Sequence, residues 1–254
     1  VTVLIMTCNQ EAYIGQAIES ALMQRTSFPI EIVVHDDAST DRTPEIVRGY
    51  AERFPTIVKP IFQAQNQLSK TGRYPTLYAY EMAKGRYIAE CDGDDYWQDP
   101  LKLAKQVAFM EKNTKAALCH HAYEILEHGT FKRPSRELPR DFSADELVGM
   151  PISGYGIGGC TKLYRNYYSA ATRRDFLNFN GDYPMNVLLG MHGSAKFLHD
   201  IRPSVYRRMN GTNSWCSLPG AVKAQKTKEM QKRLYELILE KGNERWTQAR
   251  RAFL

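Results

Sequence analysis

Arg86-Tyr87-Ile88-Ala89-Glu90-Cys91-Asp92-Gly93-Asp94-Asp95 runs from a short apolar segment directly into a cluster of carboxylates. Residues 86–91 read as a buried strand, residues 74–84 as a helix that Gly85 ends, and residues 100–111 as a further helix. The same unit recurs upstream. Residues 1–7 predict a strand ending in Thr7-Cys8-Asn9. Residues 11–24 follow with Ile14, Ala17, Ile18, Ala21 and Leu22 at helical spacing. Residues 30–36 predict a second strand, ending in Asp36-Asp37-Ala38-Ser39-Thr40-Asp41. A helix over 43–54 has Pro44 in its first turn, and a third strand covers 56–62. Continuous apolar strands alternating with helices predict an α/β fold: a mostly parallel central sheet covered on both faces.

In open α/β sheets, ligands bind beyond the carboxyl ends of the strands. Three such ends here are polar, and together they form a candidate site. Carboxylates spaced i, i+2 on an extended segment face the same side, and Gly93 between Asp92 and Asp94 permits a tight turn. Oxygen ligands of this kind suit Mg²⁺ or Mn²⁺ held by one or two carboxylates plus substrate phosphates. The competing reading is a solvated acidic turn capping the next helix. An EF-hand is disfavoured by Trp97 and Pro100. The Asp36–Asp41 segment could equally be a turn before a helix with Thr43 as N-cap, although adjacent carboxylates after a buried strand are costly without a ligand or cation.

The 254 residues are 43% hydrophobic and 24% charged, an ordinary globular composition. The five cysteines are scattered without a CxxC pair, which argues against a disulfide framework or structural zinc and makes a reducing cytoplasm the expected home. No apolar run reaches membrane-spanning length. The chain opens without Met, so a preceding piece could be absent. Of the net charge of +6, residues 221–254 contribute +5, from nine basic and four acidic side chains. A near-neutral body with a basic tail is not the pattern of a nucleic-acid binder.

The second half is less regular. Residues 116–126 read as a strand, 127–140 as a basic loop, 183–191 as a short helix, 195–207 as one or two strands and 219–241 as a long helix. Gly154–Gly159 has neither the preceding strand nor the following Lys-Ser/Thr of a P-loop. His120 and His121 fall in a strand, so one is expected to face the core and the other a cleft. His35, next to Asp36, reads as a buried, partnered histidine. In the last helix Met230, Leu234, Leu237 and Ile238 form a stripe flanked by Lys223, Lys226, Lys228, Lys232 and Arg233. It either packs on the body or docks peripherally on an anionic membrane at the inner face of the plasma membrane.

Four segments, in order, resemble family 2 glycosyltransferases of the GT-A fold: residues 3–14, 17–24, 31–43 and 84–103. They carry the Thr-x-Asn turn, the first helix, the Asp-Asp-x-Ser-x-Asp-x-Thr segment and the Asp-x-Asp motif. The resemblance implies a Rossmann-like sheet with a nucleotide-sugar-binding half at 1–112, an acceptor-binding half of the same domain at 113–218, and a C-terminal basic amphipathic helix at 219–254. It implies that Thr7, Cys8, Asn9, Asp36 and Asp37 hold the nucleotide, with Glu11 at the same edge. Asp92 and Gly93 would lie by the ribose or donor sugar. Asp94, with Asp95, would bind Mn²⁺ or Mg²⁺ on the diphosphate. Cys8 stands where the family often has an aromatic that stacks on the base. In the second half, Asp182 matches the catalytic Asp at a helix start, and Tyr206-Arg207 the Tyr-Arg pair that follows. The Gln-x-x-Arg-Trp motif of processive synthases is missing.

The expected reaction is therefore inverting transfer of a sugar from a nucleotide-diphosphate donor, UDP or TDP, to a hydroxyl of a glycan or lipid-linked acceptor in polysaccharide assembly. Asp94 with its metal would stabilise the leaving diphosphate, and Asp182 would take the acceptor proton. A non-catalytic nucleotide-sugar-binding protein of the same fold is the main rival. A nucleotidyltransferase would need a Gly-rich basic loop where Thr7-Cys8-Asn9-Gln10-Glu11 stands.

Overall fold

Val3 and Ile5 face one side of the first strand and Leu4 the other, and all three are buried, as a strand covered on both faces requires. The computed structural model describes residues 1–67, 76–134, 139–149, 157–168, 182–208 and 220–240. The strands are β1 Thr2–Thr7, β2 Glu31–Asp36, β3 Val58–Phe62, β4 Tyr87–Glu90, β5 Ala116–His120, β6 Tyr123–Glu127, β7 Thr130–Lys132, β8 Leu163–Arg165, β9 Ser194–Phe197 and β10 Ser204–Arg207. The helices are α1 Ile14–Leu22, α2 Thr43–Arg53, α3 Thr76–Met82, α4 Lys102–Lys112, α5 Ala144–Val148, α6 Asp182–Gly190 and α7 Gly220–Glu240.

The main sheet has the order β3-β2-β1-β4-β8-β5-β9, with only β8 antiparallel to its neighbours. Ile14, Ala17 and Ile18 of α1, Val47 of α2 and Leu103 and Met110 of α4 pack with Val3, Ile5 and Val34 on one face. Tyr80 of α3, Leu147 of α5, Val187 of α6 and Leu234 of α7 pack with Leu4, Val33 and Ile88 on the other. The chain runs outward from β1 to β3, then returns to pair β4 on the opposite flank of β1. The strand order therefore reverses at β1, and the ends of β2, β1 and β4 meet at the position where such sheets bind ligands.

Several expectations for the second half are corrected. Residues 116–126 are two strands in different sheets: β5 joins the main sheet, and β6 lies between β10 and β7. The expected loop at 127–140 contains β7, reached through a tight turn in which His128 has φ 50° and Gly129 φ 75°. β8 and α5 were not anticipated. α5 carries a readable signature, because Ser143 and Glu146 form a reciprocal capping box. The N-terminus of α2 is also held differently: the Asp41 carboxylate accepts the Thr43 amide at 2.9 Å, while the Thr43 hydroxyl accepts the Gln10 amide at 2.9 Å.

Within the last helix, Leu234 and Ile238 are fully buried against the body, with Met230 and Leu237 packed beside them. The apolar stripe thus packs on the body of the protein. No helix among the described residues is long and apolar enough to cross a membrane.

Candidate active site

The turn after β4 is shaped by the close passage of β1. The Gly93 amide donates to the Met6 carbonyl at 2.8 Å, and a Cβ on Gly93 would lie 2.8 Å from the Thr7 Cβ and also meet the Gln10 amide oxygen. Only glycine fits there without moving β1. Trp97 pins the far side of the turn, its indole N–H donating to the Cys160 carbonyl at 2.9 Å, with the Lys102 ammonium 4.0 Å from its ring centre.

The three carboxylates in this turn face different surroundings. Asp92 is exposed and Asp94 half-buried. Asp95 is buried, and its Oδ1 accepts the Arg207 backbone N–H at 2.9 Å. Burial raises the Asp94 pKa, despite a hydrogen bond from Gln10 and the Arg207 charge. Burial, then repulsion from Asp94 and Asp92, pushes Asp95 well above the usual carboxylate range. A divalent cation would relieve that repulsion. Among the described residues, no three His, Cys, Asp or Glu side chains are arranged to enclose a metal. The oxygen donors of this turn suit an ion that one or two carboxylates would hold and phosphate oxygens would complete.

The ends of β1 and β2 are fastened to one another largely by the side chains that the sequence singled out. Asn9, at φ 53°, accepts the Thr40 amide on its side-chain oxygen at 2.7 Å. Glu11 accepts the Arg42 amide at 2.9 Å, and its own amide donates to Asp41 at 3.0 Å. Asp36 is buried and accepts both the Ser39 amide, at 3.1 Å, and the Ser39 hydroxyl. Asp37 accepts the Gln67 amide at 2.7 Å and donates its own amide to the Thr7 carbonyl at 3.0 Å. The Thr7 hydroxyl donates to Gln10 at 2.8 Å. Cys8 is half-buried, 3.5 Å from both the Asp37 carbonyl and the Asn66 amide nitrogen. Burial, then Asp37 and Asp36, raise its pKa and keep it a thiol. These residues build a rigid rim, with Asp92, Asp94 and Cys8 left at its surface.

Arg207 completes the cluster from β10. Its guanidinium donates to the Asp94 carbonyl and to Gln16, and lies 4.8 Å from the ring centres of both Tyr13 and Tyr96. Two aromatic faces and two acceptors fix the cation beside the acidic turn. Gln10, Tyr13, Gln16, Asn66 and Tyr96 were not anticipated. Gln10 had a readable signal, being next to Thr7-Cys8-Asn9. Tyr96 likewise follows Asp94-Asp95 directly, but its meeting with Arg207 depends on the bridge between Tyr96 and Val205, which the sequence does not show. Asp182 begins α6; its side chain lies outside the described residues.

The histidines are interior groups. His35 is fully buried, its Nε2 3.0 Å from the Gln63 amide and its ring stacked on Tyr78. His120 and His121 are both buried, so the expected division between core and cleft is corrected. His120 packs on Phe142 and Phe197, and His121 lies 3.3 Å from the Ser204 hydroxyl. Burial lowers His35 and His120 from 6.5 to about 4. Protonation then favours the unfolded chain, so their contribution is full above the unfolded value of about 6.5. It is lost as the pH falls toward 4. The urea midpoint of His35→Gln is expected to fall less steeply than the parent's between pH 6.5 and 4. Asp95 acts with the opposite sign in both proteins and cancels from the comparison. Parallel curves would contradict this assignment.

A family model described as Glycosyl transferase family 2 matches residues 2–171. An uncharacterized protein of Mycobacterium tuberculosis is 38% identical over 150 residues, covering 58% of this chain and 42% of that protein. The Escherichia coli UDP-Glc:alpha-D-GlcNAc-diphosphoundecaprenol beta-1,3-glucosyltransferase WfaP is 37% identical over 111 residues, covering 44% of this chain and 41% of the enzyme. The match thus spans less than half the length of either relative. Among solved structures, that of S. aureus TarS 1-349 in complex with UDP-GlcNAc superposes with a TM-score of 0.68 at 22% identity, covering 94% of this chain and 66% of that one.

Proposed function

The chain belongs to glycosyl transferase family 2, and from that premise we propose that it moves a sugar from a nucleotide-diphosphate donor to a hydroxyl group. The observation that carries this reading is the meeting of the Asp92-Gly93-Asp94 turn with Arg207 beside the rim formed by the ends of β1 and β2. An acidic turn suited to a divalent cation, with a fixed guanidinium beside it, matches what a diphosphate requires.

Asp94 is the carboxylate assigned to Mg²⁺ or Mn²⁺. When bound, the ion supplies Lewis-acid stabilisation of the leaving diphosphate. Arg207 adds a fixed positive charge on the same side. Asp95 acts from the interior by holding the backbone of Arg207. Asp37, Cys8 and Asn66 form the wall offered to the base, and none of these three side chains is aromatic. Asp182 is assigned to accept the proton of the attacking hydroxyl. Direct attack by that oxygen on the anomeric carbon forms the new glycosidic bond, breaks the bond to the diphosphate and inverts the carbon. The likeness to WfaP favours UDP as the nucleotide and a lipid-linked saccharide as the acceptor.

Donor binding tests the reading. UDP-, GDP- and TDP-sugars are compared by thermal shift, with and without Mn²⁺. A UDP- or TDP-sugar at 100 times its Kd should stabilise the protein by about 2.7 kcal/mol, and the shift should shrink without the ion. No shift with any of the three donors would reject nucleotide-sugar transfer.

A further inference from the structure

Glu90 lies two residues before Asp92, inside the α3/α6 layer, where a carboxylate is unusual. Its side chain retains 18% exposure, whereas its partner Lys162 retains none. The Glu90 carboxylate accepts from the Tyr164 hydroxyl, accepts from the Tyr80 hydroxyl at 3.2 Å, and lies 3.5 Å from the Lys162 ammonium. The Tyr80 hydroxyl also lies within hydrogen-bonding distance of the Tyr164 oxygen, so its single proton is shared between that oxygen and Glu90. Burial, then the Glu90 charge, raise both phenols well above their ordinary value, so they remain donors.

This network has reach. Tyr80 comes from α3, Glu90 from β4, and Lys162 and Tyr164 from the segment entering and forming β8. The Tyr80 hydroxyl also approaches the Met185 sulfur at 3.9 Å. Met185 is in the first turn of α6, three residues after Asp182. Through Tyr80, the Glu90 carboxylate thus links the strand that leads into Asp92 and Asp94 to the helix that begins at Asp182. An all-apolar contact would fill the same space without setting one geometry, whereas a satisfied polar network specifies it.

We propose that Glu90 is a positioning residue for glycosyl transfer: through Tyr80 and Tyr164 it sets the first turn of α6 against the carboxyl end of β4. The inference rests on the proposed function for its catalytic consequence, but not for the mechanical link itself. A displacement of about 1 Å between a base and its substrate costs on the order of 10²-fold in rate.

Tyr80→Phe removes one hydroxyl and keeps the ring, and Glu90→Gln keeps the shape and removes the charge. Both are compared with the parent by turnover, by donor affinity in calorimetry and by amide hydrogen exchange. The expected result is a fall in turnover of about tenfold or more with donor affinity within about twofold. Exchange at residues 185–188 should accelerate while that of β5 stays at the parent's rate. Turnover within twofold of the parent, or donor affinity falling in step with turnover, would overturn the proposal. Exchange at 185–188 equal to the parent's would overturn it independently, even if the parent neither binds nor transfers a sugar, an outcome that would defeat the proposed function alone.

Discussion

Asp94→Ala is expected to lower glycosyl transfer by at least roughly 10²- to 10³-fold, the scale of losing one pre-placed electrostatic contact to a leaving group. EDTA should silence the intact protein, and Mn²⁺ or Mg²⁺ should restore it. Asp94 is half-buried beside Arg207, so removing it takes a negative charge from the cleft while the backbone carbonyl that Arg207 uses stays in place. Asp95→Asn supplies the contrast. The Asp95 Oδ1 accepts the Arg207 amide, and an asparagine oxygen can do the same. Transfer by Asp95→Asn should stay within about tenfold of the parent, because the hydrogen bond that holds the Arg207 backbone is retained. Equal losses in the two variants would place both carboxylates on the ion. Full activity in EDTA would remove the metal from the mechanism.

Asp182→Asn is expected to reduce turnover by about 10²- to 10⁴-fold with donor affinity and melting temperature unchanged, the range for loss of a placed general base. Asp182 opens α6, a position where a carboxylate can simply cap the helix. The chosen change separates the two roles, since asparagine caps about as well as aspartate but cannot accept the proton. A fall of less than about tenfold at unchanged stability would leave Asp182 a cap and direct the search to other carboxylates, Asp175 first. Preserved donor binding without turnover in the parent itself would instead identify a nucleotide-sugar-binding protein.

The first 112 residues were legible because their signals are local. An apolar run such as Ile32-Val33-Val34 is buried on both faces wherever it pairs, and the turn after it must be polar to leave the sheet. The edge carrying Thr7, Asp37 and Asp92 could therefore be read without coordinates. Gly93 shows the limit of that reading. Its place between two carboxylates suggested a tight turn, but the close approach of Thr7 explains why no side chain fits.

The sequence by itself determined a parallel α/β layer, the polar strand ends along one of its edges and the acidic turn on that edge, because each follows from the residues flanking it in the chain. Only the tertiary structure decided that Asp95 turns inward while Asp94 stays at the cleft. The partner responsible, Arg207, is 112 residues away and arrives on β10. The same holds for the pairing of Tyr13 and Tyr96 around that guanidinium, and for the Glu90 network drawn from α3, β4, β8 and α6. Short strands such as Leu163–Arg165 have too few residues to show a period, and their place depends on which edges other strands leave open. Local sequence sets the geometry of a turn; which side chains meet across it depends on how distant segments close around the core.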